Sequence, residues 1–285
     1  MHFWILLLGL VGALLGARWV LVALWRRRHD MWARLHDGVA SLRLDVPAGA
    51  IEARWPRIGG WLRARFDTRR FSGLPLTALV LLGLHLLGLG GELIDQLRED
   101  SELQRLDERI HLGLGWLREE RFVALFAWLT AFGDPQSLTV AGLVAGAFLL
   151  ALRRHGLLVG LLLSVAGSQI ATLLGKYVLD RPRPEVVTFV EAVTPSFPSG
   201  HATGAMAVYG FIAYAAARTA ASSRLRLEVV LMAAMLVALV AMSRLVIGVH
   251  YASDIAAGLV NGSFWVVAGI AVAEWLQENG AAEAR

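Results

Sequence analysis

The chain contains no cysteine and only one lysine. It has 285 residues, and 26 of its 27 basic residues are arginine. The absence of cysteine excludes disulfide bonds and thiolate metal sites, although it leaves the redox compartment open. Charged residues make up only 18% of the chain, whereas 56% is hydrophobic and the mean hydropathy is +0.57. A soluble domain of this length rarely has such a composition.

The hydrophobic residues fall in long blocks that are almost free of charge. These blocks have the roughly 20-residue length at which an α-helix crosses a bilayer. Barrel strands would be shorter and would alternate in polarity, so we predict helices. The expected fold is all-α, a polytopic membrane helix bundle with about six core spans and one N-terminal span. The predicted spans are residues 2–25, 74–94, 137–152, 157–175, 202–219, 228–247 and 255–276. Segment 122–132 is predicted to be a half-helix or a re-entrant piece.

The loops between these spans differ in charge. Residues 26–73 hold eleven arginines against five acids, whereas residues 95–136 hold nine acids against five arginines. The positive-inside rule therefore gives the loops alternate sides of a cell inner (plasma) membrane. The loops predicted to be cytoplasmic are 26–73, 153–156 and 219–227. The loops predicted to lie on the external (periplasmic) side are 95–136, 176–201 and 248–254.

Four segments follow from this pattern. Residues 1–25 are expected to be a retained transmembrane anchor, because the span lacks a small-residue cleavage pattern. Residues 26–73 carry tryptophans and arginines at helical spacing and are expected to lie on an anionic cytoplasmic leaflet. A solvated linker with short helices is the alternative for that segment. Residues 74–276 form the predicted bundle, and residues 277–285 form a cytoplasmic tail.

The first of three polar runs on the predicted external side covers residues 175–184. It contains Lys176 and Arg183, and its two prolines end the preceding helix. Basic residues at a membrane boundary also commonly contact lipid headgroups, so the run alone does not decide a function. We expect Asp180 and Arg181, within this run, to form a local salt bridge.

The second run, residues 195–201, leads into an apolar helix. Ser199 and Gly200 open that helix, whose N-terminal N–H groups and dipole favour an anion. Ser199 is equally suited to a plain N-cap, with His201 an ordinary residue of the first turn.

The third run, residues 243–254, contains Arg244, His250 and Asp254. His250 and Asp254 are four residues apart and would share one face of a helix. A carboxylate bonded to one ring nitrogen fixes the tautomer and leaves the other nitrogen free to attack. A structural hydrogen bond is the alternative. A metal site is disfavoured, because no further cluster of ligands lies nearby in the sequence.

The three runs together supply the parts that phosphoryl transfer needs. Cations and a helix N-terminus neutralise the equatorial phosphate oxygens, and an oriented histidine supplies the nucleophile. Ionisable residues at the edge of a membrane bundle are costly, which favours a functional interpretation.

The runs resemble the three signatures of the type 2 phosphatidic acid phosphatase family, which shares its active site with vanadium haloperoxidases and glucose-6-phosphatase. Those signatures are Lys-x6-Arg-Pro, Pro-Ser-Gly-His and Ser-Arg-x5-His-x3-Asp. They match in order at residues 176–184, 198–201 and 243–254. The resemblance covers roughly residues 74–276.

The resemblance implies a role for each matching residue. His250 would attack phosphorus and form a phosphohistidine, and Asp254 would orient His250. His201 would protonate the leaving lipid alkoxide and then activate water. The residues implied to bind phosphate are Lys176, Arg183, Ser199, Gly200 and Arg244. No metal and no cofactor are implied.

The function expected from this resemblance is hydrolysis of a lipid phosphomonoester or pyrophosphate. Undecaprenyl pyrophosphate and phosphatidylglycerol phosphate lead the candidate substrates, and phosphatidate and a lipid A phosphate also fit. The alternatives are a lipid-to-lipid phosphotransferase with the same site and a non-catalytic lipid transporter. A haloperoxidase would be soluble, which the spans argue against. The net charge of +4 reflects loop orientation, so no nucleic-acid partner is expected.

Overall fold

The computed structural model describes residues 55–67, 70–99, 102–185 and 194–283, together with Gly16. Every regular element in these ranges is a helix, which confirms the predicted all-α membrane bundle. The α-helices are α1 (Pro56–Arg65), α2 (Leu74–Arg98), α3 (Glu102–Gly113), α4 (Glu120–Thr130), α5 (Pro135–Ala151), α6 (His155–Leu179), α7 (Gly200–Thr219), α8 (Ser223–Ile247) and α9 (Ala252–Glu283). Two 3-10 turns lie at Gly115–Leu117 and Ala131–Gly133.

The chain divides into two compact units, Met1–Thr77 and Ala78–Arg285. In the described part of the first unit, α1 forms where tryptophan and arginine recur at helical spacing. The Arg65 guanidinium lies 5.4 Å from the centre of the Trp61 ring, and both Trp61 and Phe66 are exposed. The predicted anchor, and residues 26–54 of the basic segment, lie outside the described residues apart from Gly16. Membrane binding by residues 26–73 therefore stays a prediction.

Four of the described helices are long and apolar enough to cross a membrane: α2, α6, α8 and α9. The pair formed by Glu120–Gly133 and Pro135–Ala151 is bent by 41° and would count as a fifth span. The first half of this pair overlaps the segment 122–132, predicted to be a half-helix or a re-entrant piece, and the second half covers residues 137–151 of the predicted span 137–152. Among the described residues, four or five spans therefore meet the requirements of length and composition.

The fifth predicted span, 202–219, forms the helix α7, which is not among the helices long and apolar enough to cross a membrane. Its sequence is rich in alanine and glycine, and Ala202, Ala205 and Phe211 are fully buried. The helix packs against α6, α8 and α9. Because protein surrounds much of α7, its surface does not need the apolarity of a lipid-facing helix.

Glycines bring α6, α7 and α9 into close contact. A Cβ atom at Gly160 would lie 2.5 Å from the carbonyl oxygen of Gly269, and one at Gly269 would lie 2.5 Å from that of Gly160. At Gly258 of α9, a Cβ would lie 2.7 Å from the carbonyl oxygen of Ser199. Small residues allow this approach of helix backbones in a membrane. The start of α9 is thereby held against the start of α7, where two of the three polar runs lie.

At the far end of α7, Arg218 pairs with Glu274 of α9. The Nε and Oε1 atoms are 2.7 Å apart, and the Tyr214 hydroxyl also donates to this carboxylate. This pair is remote from the three polar runs.

Candidate active site

The three polar runs converge at one end of the bundle. They lie at the end of α6, at the start of α7, and from the end of α8 to the start of α9. Backbone hydrogen bonds join them: the Ser199 N–H donates to the Asp254 carbonyl at 3.0 Å, and the Ser196 N–H donates to the Arg181 carbonyl at 2.8 Å. The convergence places the residues of all three motifs in one cluster.

His250 lies at the centre of this cluster and is only 2% exposed. Its Nε2 atom is 3.2 Å from Nη1 of Arg183, and its Nδ1 atom is 3.6 Å from Oδ2 of Asp254. A guanidinium only donates, so Nε2 is the acceptor and Nδ1 carries the proton on the Asp254 side. The neutral ring thus presents its Nε2 lone pair beside a cation.

The environment keeps His250 in this neutral form. Burial lowers the pKa of its imidazole to about 4, and the charges of Arg183 and Arg244 lower the pKa as well. Asp254 acts in the opposite direction without overcoming burial. A histidine that is unprotonated near neutral pH has the lone pair that a nucleophile needs.

The Asp254 carboxylate is fully buried and is held by several donors. Arg181 Nη1 donates to Oδ1 at 2.7 Å, and the Tyr251 N–H donates to Oδ2 at 2.9 Å. The Ser196 hydroxyl also donates to Oδ2 and lies 3.4 Å from Nδ1 of His250. These bonds stabilise the charged carboxylate and fix its orientation toward the imidazole.

The local salt bridge predicted between Asp180 and Arg181 is wrong. Asp180 ends α6 with a left-handed backbone, at φ +42°, and the chain turns away from the helix there. The Arg181 guanidinium instead bridges Asp254 and Asp107, with Nη2 2.9 Å from the Asp107 carboxylate. It also lies 4.2 Å from the centre of the Tyr251 ring.

Asp107 belongs to the site and was missed by the sequence motifs. It is 1% exposed, lies on α3 and accepts from Arg181 and from the N–H and hydroxyl of Ser253. The position of Asp107 in the sequence could have indicated its burial, since Asp107 shares one helix face with Leu103 and Ile110. An acid on the apolar face of an amphipathic helix indicates a buried partner.

Two of the three cations of the first run, Lys176 and Arg183, meet at Thr194. Lys176 Nζ donates to the Pro195 carbonyl at 2.6 Å and to the Thr194 hydroxyl at 3.2 Å. Arg183 Nε donates to the Thr194 carbonyl at 2.8 Å. Residues 186–193 of this loop lie outside the described residues.

Arg244 and Ser199 each hold a buried polar atom without a partner. Arg244 is 4% exposed, and its Nη1 donates to the Thr130 hydroxyl at 2.8 Å. Among the described residues, only three buried side-chain nitrogen or oxygen atoms lack a hydrogen bond: Nε of Arg118, Oγ of Ser199 and Nε of Arg244. Two of the three belong to residues predicted to bind phosphate. Such unpaired atoms are costly unless a ligand satisfies them.

His201, in the first turn of α7, forms a second histidine–carboxylate pair. Its Nε2 atom lies 2.8 Å from Oδ1 of Asp134, the residue between the two halves of the bent helix pair. Asp134 was missed because it lies outside the three motifs. Within the described parts of the chain, no group of three or more His, Asp or Glu side chains is arranged to hold a metal ion.

The fold and this cluster define a class of protein, a multi-pass membrane phosphatase. Residues 157–278 match the family model of the PAP2 superfamily, and this range contains all three motifs. This part of the chain is therefore similar to the PAP2 superfamily, and the resemblance to type 2 phosphatidic acid phosphatases is confirmed.

The chain is also similar to individual proteins and solved structures. Phosphatidylglycerophosphatase B of Bacillus subtilis (strain 168) is 28% identical over 165 residues, which are 57% of this chain and 80% of that protein. The crystal structure of a transmembrane PAP2-type phosphatidylglycerolphosphate phosphatase from Bacillus subtilis superposes with a TM-score of 0.55 and 25% identity. It covers 72% of this chain and 96% of its own. LpxE of Aquifex aeolicus gives a TM-score of 0.46 at 18% identity, covering 60% of this chain and 96% of its own.

Proposed function

We propose that this chain hydrolyses a lipid phosphomonoester or pyrophosphate through a phosphohistidine on His250. The observation that carries the proposal is the set of contacts around that imidazole. Nε2 lies beside the Arg183 guanidinium, while Nδ1 faces a buried carboxylate that other donors hold in place. A nucleophile next to a phosphate-binding cation, oriented by a fixed base, is the arrangement that in-line attack on phosphorus requires.

In the first step, Lys176, Arg183 and Arg244 neutralise the phosphate oxygens, together with the Ser199 hydroxyl and the helix start at Gly200. Nε2 of His250 attacks phosphorus and forms an N–P bond as the bond to the lipid oxygen breaks. The Nδ1 proton stays on the Asp254 side and balances the charge of the ring. Fixed cations that face the developing charge lower the barrier without reorganisation.

His201 supplies the proton for the leaving group, which is the lipid alkoxide of a phosphomonoester or the lipid phosphate of a pyrophosphate. Its Nε2 is engaged by Asp134, so the other ring nitrogen, Nδ1, serves the substrate. In the second step the same nitrogen accepts a proton from water as the water oxygen attacks the phosphohistidine. The N–P bond breaks, its electron pair returns to Nε2 of His250, and inorganic phosphate leaves. This exchange of acid and base roles follows from microscopic reversibility.

Phosphatidylglycerol phosphate is the first substrate to examine, because the similar Bacillus subtilis proteins are named for it. Undecaprenyl pyrophosphate is the second. The charge asymmetry of the loops supports a site on the external side of an inner membrane. The chemistry uses the side chains above, and we propose that it needs no metal ion.

The experiment is a comparison of purified wild-type protein with His250→Ala and His155→Ala in detergent. His155 is exposed at the start of α6, away from the cluster, and provides the matched control. Wild type and His155→Ala are expected to release free phosphate from the lipid, and alkaline-stable label from ³²P-lipid should appear on the protein after a rapid quench. His250→Ala should do neither, and EDTA should leave the rate unchanged. Phosphate release by His250→Ala, transfer of phosphate only to another lipid, or loss of activity in EDTA would overturn the mechanism.

A further inference from the structure

The Arg181 guanidinium is shared by two buried carboxylates. Its Nη1 atom is 2.7 Å from Oδ1 of Asp254, and its Nη2 atom is 2.9 Å from Oδ2 of Asp107. Asp254 is fully buried, Asp107 is 1% exposed, and the Arg181 side chain is 11% exposed. Two carboxylates and one guanidinium leave this group with one net negative charge. A buried net charge is costly, so a second acid in this position indicates a function.

The hydrogen bonds of Asp107 are those of an ionised carboxylate. Its Oδ1 atom accepts from the Ser253 N–H at 2.9 Å, and its Oδ2 atom accepts from Arg181 and from the Ser253 hydroxyl. The Ser253 oxygen itself accepts from Arg181 Nη1 at 2.8 Å, so its proton is available to Asp107. All of these partners donate, and an ionised carboxylate accepts only.

The negative charge of this group is balanced when the phosphohistidine forms. In the proposed first step, Nε2 of His250 bonds to phosphorus while Nδ1 keeps its proton, so the ring gains one positive charge. Nδ1 faces Oδ2 of Asp254 at 3.6 Å. If Arg181 had Asp254 as its only acid, that pair would already be neutral, and the ring would lack a counter-charge. Asp107 neutralises Arg181 and leaves the charge of Asp254 to His250.

The other cations of the site belong to the opposite side of the imidazole. Arg183 Nη1 lies 3.2 Å from Nε2 of His250, the nitrogen that attacks phosphorus. Together with Lys176 and Arg244, Arg183 is proposed to neutralise the phosphate oxygens. These three cations are therefore balanced by the substrate, and they do not supply the negative charge that the cationic ring needs.

We propose that Asp107 is a positioning residue of the phosphatase, which neutralises Arg181 and thereby leaves the Asp254 carboxylate as the counter-charge of the His250 ring in the phosphohistidine. This inference rests on the proposed function and assigns a role to a residue outside the three motifs. Asp107 acts on the reaction through Arg181 and Asp254. The bonds that form and break at phosphorus are those described above.

The first test is Asp107→Asn, which keeps the shape of the side chain and removes its charge. The group of Asp254 and Arg181 is then neutral before the reaction, and the phosphohistidine ring lacks its counter-charge. We expect kcat to fall by about tenfold, the equivalent of one pKa unit. KM should stay within about twofold of wild type, because the ring becomes cationic only during the reaction. Steady-state kinetics in detergent, with the lipid phosphate that wild type hydrolyses, measure both constants.

Two further variants separate the charge of Asp107 from its geometry. Ser253→Ala removes one hydrogen bond to Asp107 but leaves all three charges, so its kcat should fall less than that of Asp107→Asn. Glu102→Gln removes a charge from the exposed start of α3 and should behave as wild type. A kcat of Asp107→Asn within twofold of wild type, or an equal loss in Ser253→Ala, would overturn the role of the charge.

The double variant Asp107→Asn with Arg181→Gln gives the sharpest test. Arg181→Gln alone leaves two buried carboxylates without their cation, whereas the double variant leaves only Asp254 and restores the net charge of wild type. We expect the double variant to have a higher kcat than Arg181→Gln, and a higher melting temperature, when both are assayed well below melting. If Asp107 served only to hold Arg181 in place, the double variant would be no more active than Arg181→Gln, and the inference would be wrong.

This comparison does not require Asp107→Asn to fold on its own. If Arg181→Gln does not fold, a folded and active double variant supports the inference, and a double variant that also fails to fold overturns it.

The outcomes also distinguish this inference from the proposed function. If wild type acquires no alkaline-stable label from the ³²P-lipid, the phosphohistidine mechanism fails, and the role of Asp107 fails with it. If wild type acquires the label and Asp107→Asn turns over like wild type, only the role of Asp107 is overturned, and the phosphatase function stands.

Discussion

The imidazole of His201 and the carboxylate of Asp134 are held 2.8 Å apart at the break between α4 and α5. The neighbouring Gly133 allows this approach, because a Cβ there would lie 3.1 Å from the His201 ring and 2.5 Å from Val240. Pro135 then begins α5, where its fixed φ is tolerated and its missing N–H is not needed. The bent pair of helices thus places the Asp134 carboxylate beside His201, which we propose as the acid and base.

Asp134→Asn removes the charge that stabilises the protonated form of His201 and leaves a side chain of the same shape. We expect kcat to fall by about tenfold or more, because general acid–base catalysis contributes factors of that size or larger. The pH dependence of kcat should shift as well, which a purely structural role would not produce. Glu120→Gln, at the exposed start of α4, is the matched control and should behave as wild type. A kcat within twofold of the parent would show that the pair is not used in turnover.

Arg181→Gln leaves the buried carboxylates of Asp107 and Asp254 without their shared cation. Breaking a buried ion pair from one side costs about 3–5 kcal/mol, so we expect a large fall in thermal stability in detergent. Activity should fall too, because Asp254 loses a donor that orients it. Arg218→Gln breaks the half-exposed pair with Glu274 and should cost only about 0–1 kcal/mol. Equal decreases in melting temperature for the two variants would contradict a larger contribution of Arg181 to the stability of the fold.

Lys176→Arg conserves charge but replaces a compact ammonium with a wider planar group. Lys176 Nζ and the Arg183 guanidinium already share Thr194, so the space between them is limited. We expect kcat/KM to fall at least about tenfold, or roughly 1.4 kcal/mol of transition-state stabilisation. Steady-state kinetics check this, with melting curves run in parallel and Arg154→Lys as the reciprocal change at an exposed site. Activity within about twofold of wild type would mean that charge alone suffices at position 176.

The low pKa of His250 predicts a pH dependence of stability. The unfolded chain protonates this histidine near its ordinary pKa of 6.5, whereas the folded protein does so only near 4. Between these values the unfolded state binds more protons, so the free energy of unfolding decreases as the pH falls. The difference in melting temperature between wild type and His250→Gln should therefore change as the pH falls from 7 to 5, to the disadvantage of wild type. A difference that is independent of pH would show that His250 titrates normally in the folded state.

The proposed external orientation can be tested by single cysteines, since the chain has none of its own. Glu185→Cys, beside the active site, should react with a membrane-impermeant thiol reagent in intact cells. Ala221→Cys, between α7 and α8, should react only after the cells are opened. Both positions are exposed. The reverse labelling pattern would place the site in the cytoplasm.

The cluster residues that belong to the three motifs could be predicted, because the residues of each motif are close in sequence and each motif lies at a helix end. His250 and Asp254, four residues apart, illustrate this. The residues that support the cluster, Asp107 and Asp134, could not be predicted from motifs. Asp107 accepts from Ser253 across 146 residues, and Asp134 meets His201 across 67, so no local pattern connects them. The length of a hydrophobic block likewise does not distinguish a lipid-facing helix from α7, which is surrounded by other helices.

The break at Gly133–Asp134 links two parts of the molecule. Asp134 is both the N-cap of α5 and the partner of His201, while the body of α5 lines a cavity of about 700 Å³ between α5, α6 and α7. The same two residues therefore set where the wall of this cavity begins and where the carboxylate meets the imidazole of His201.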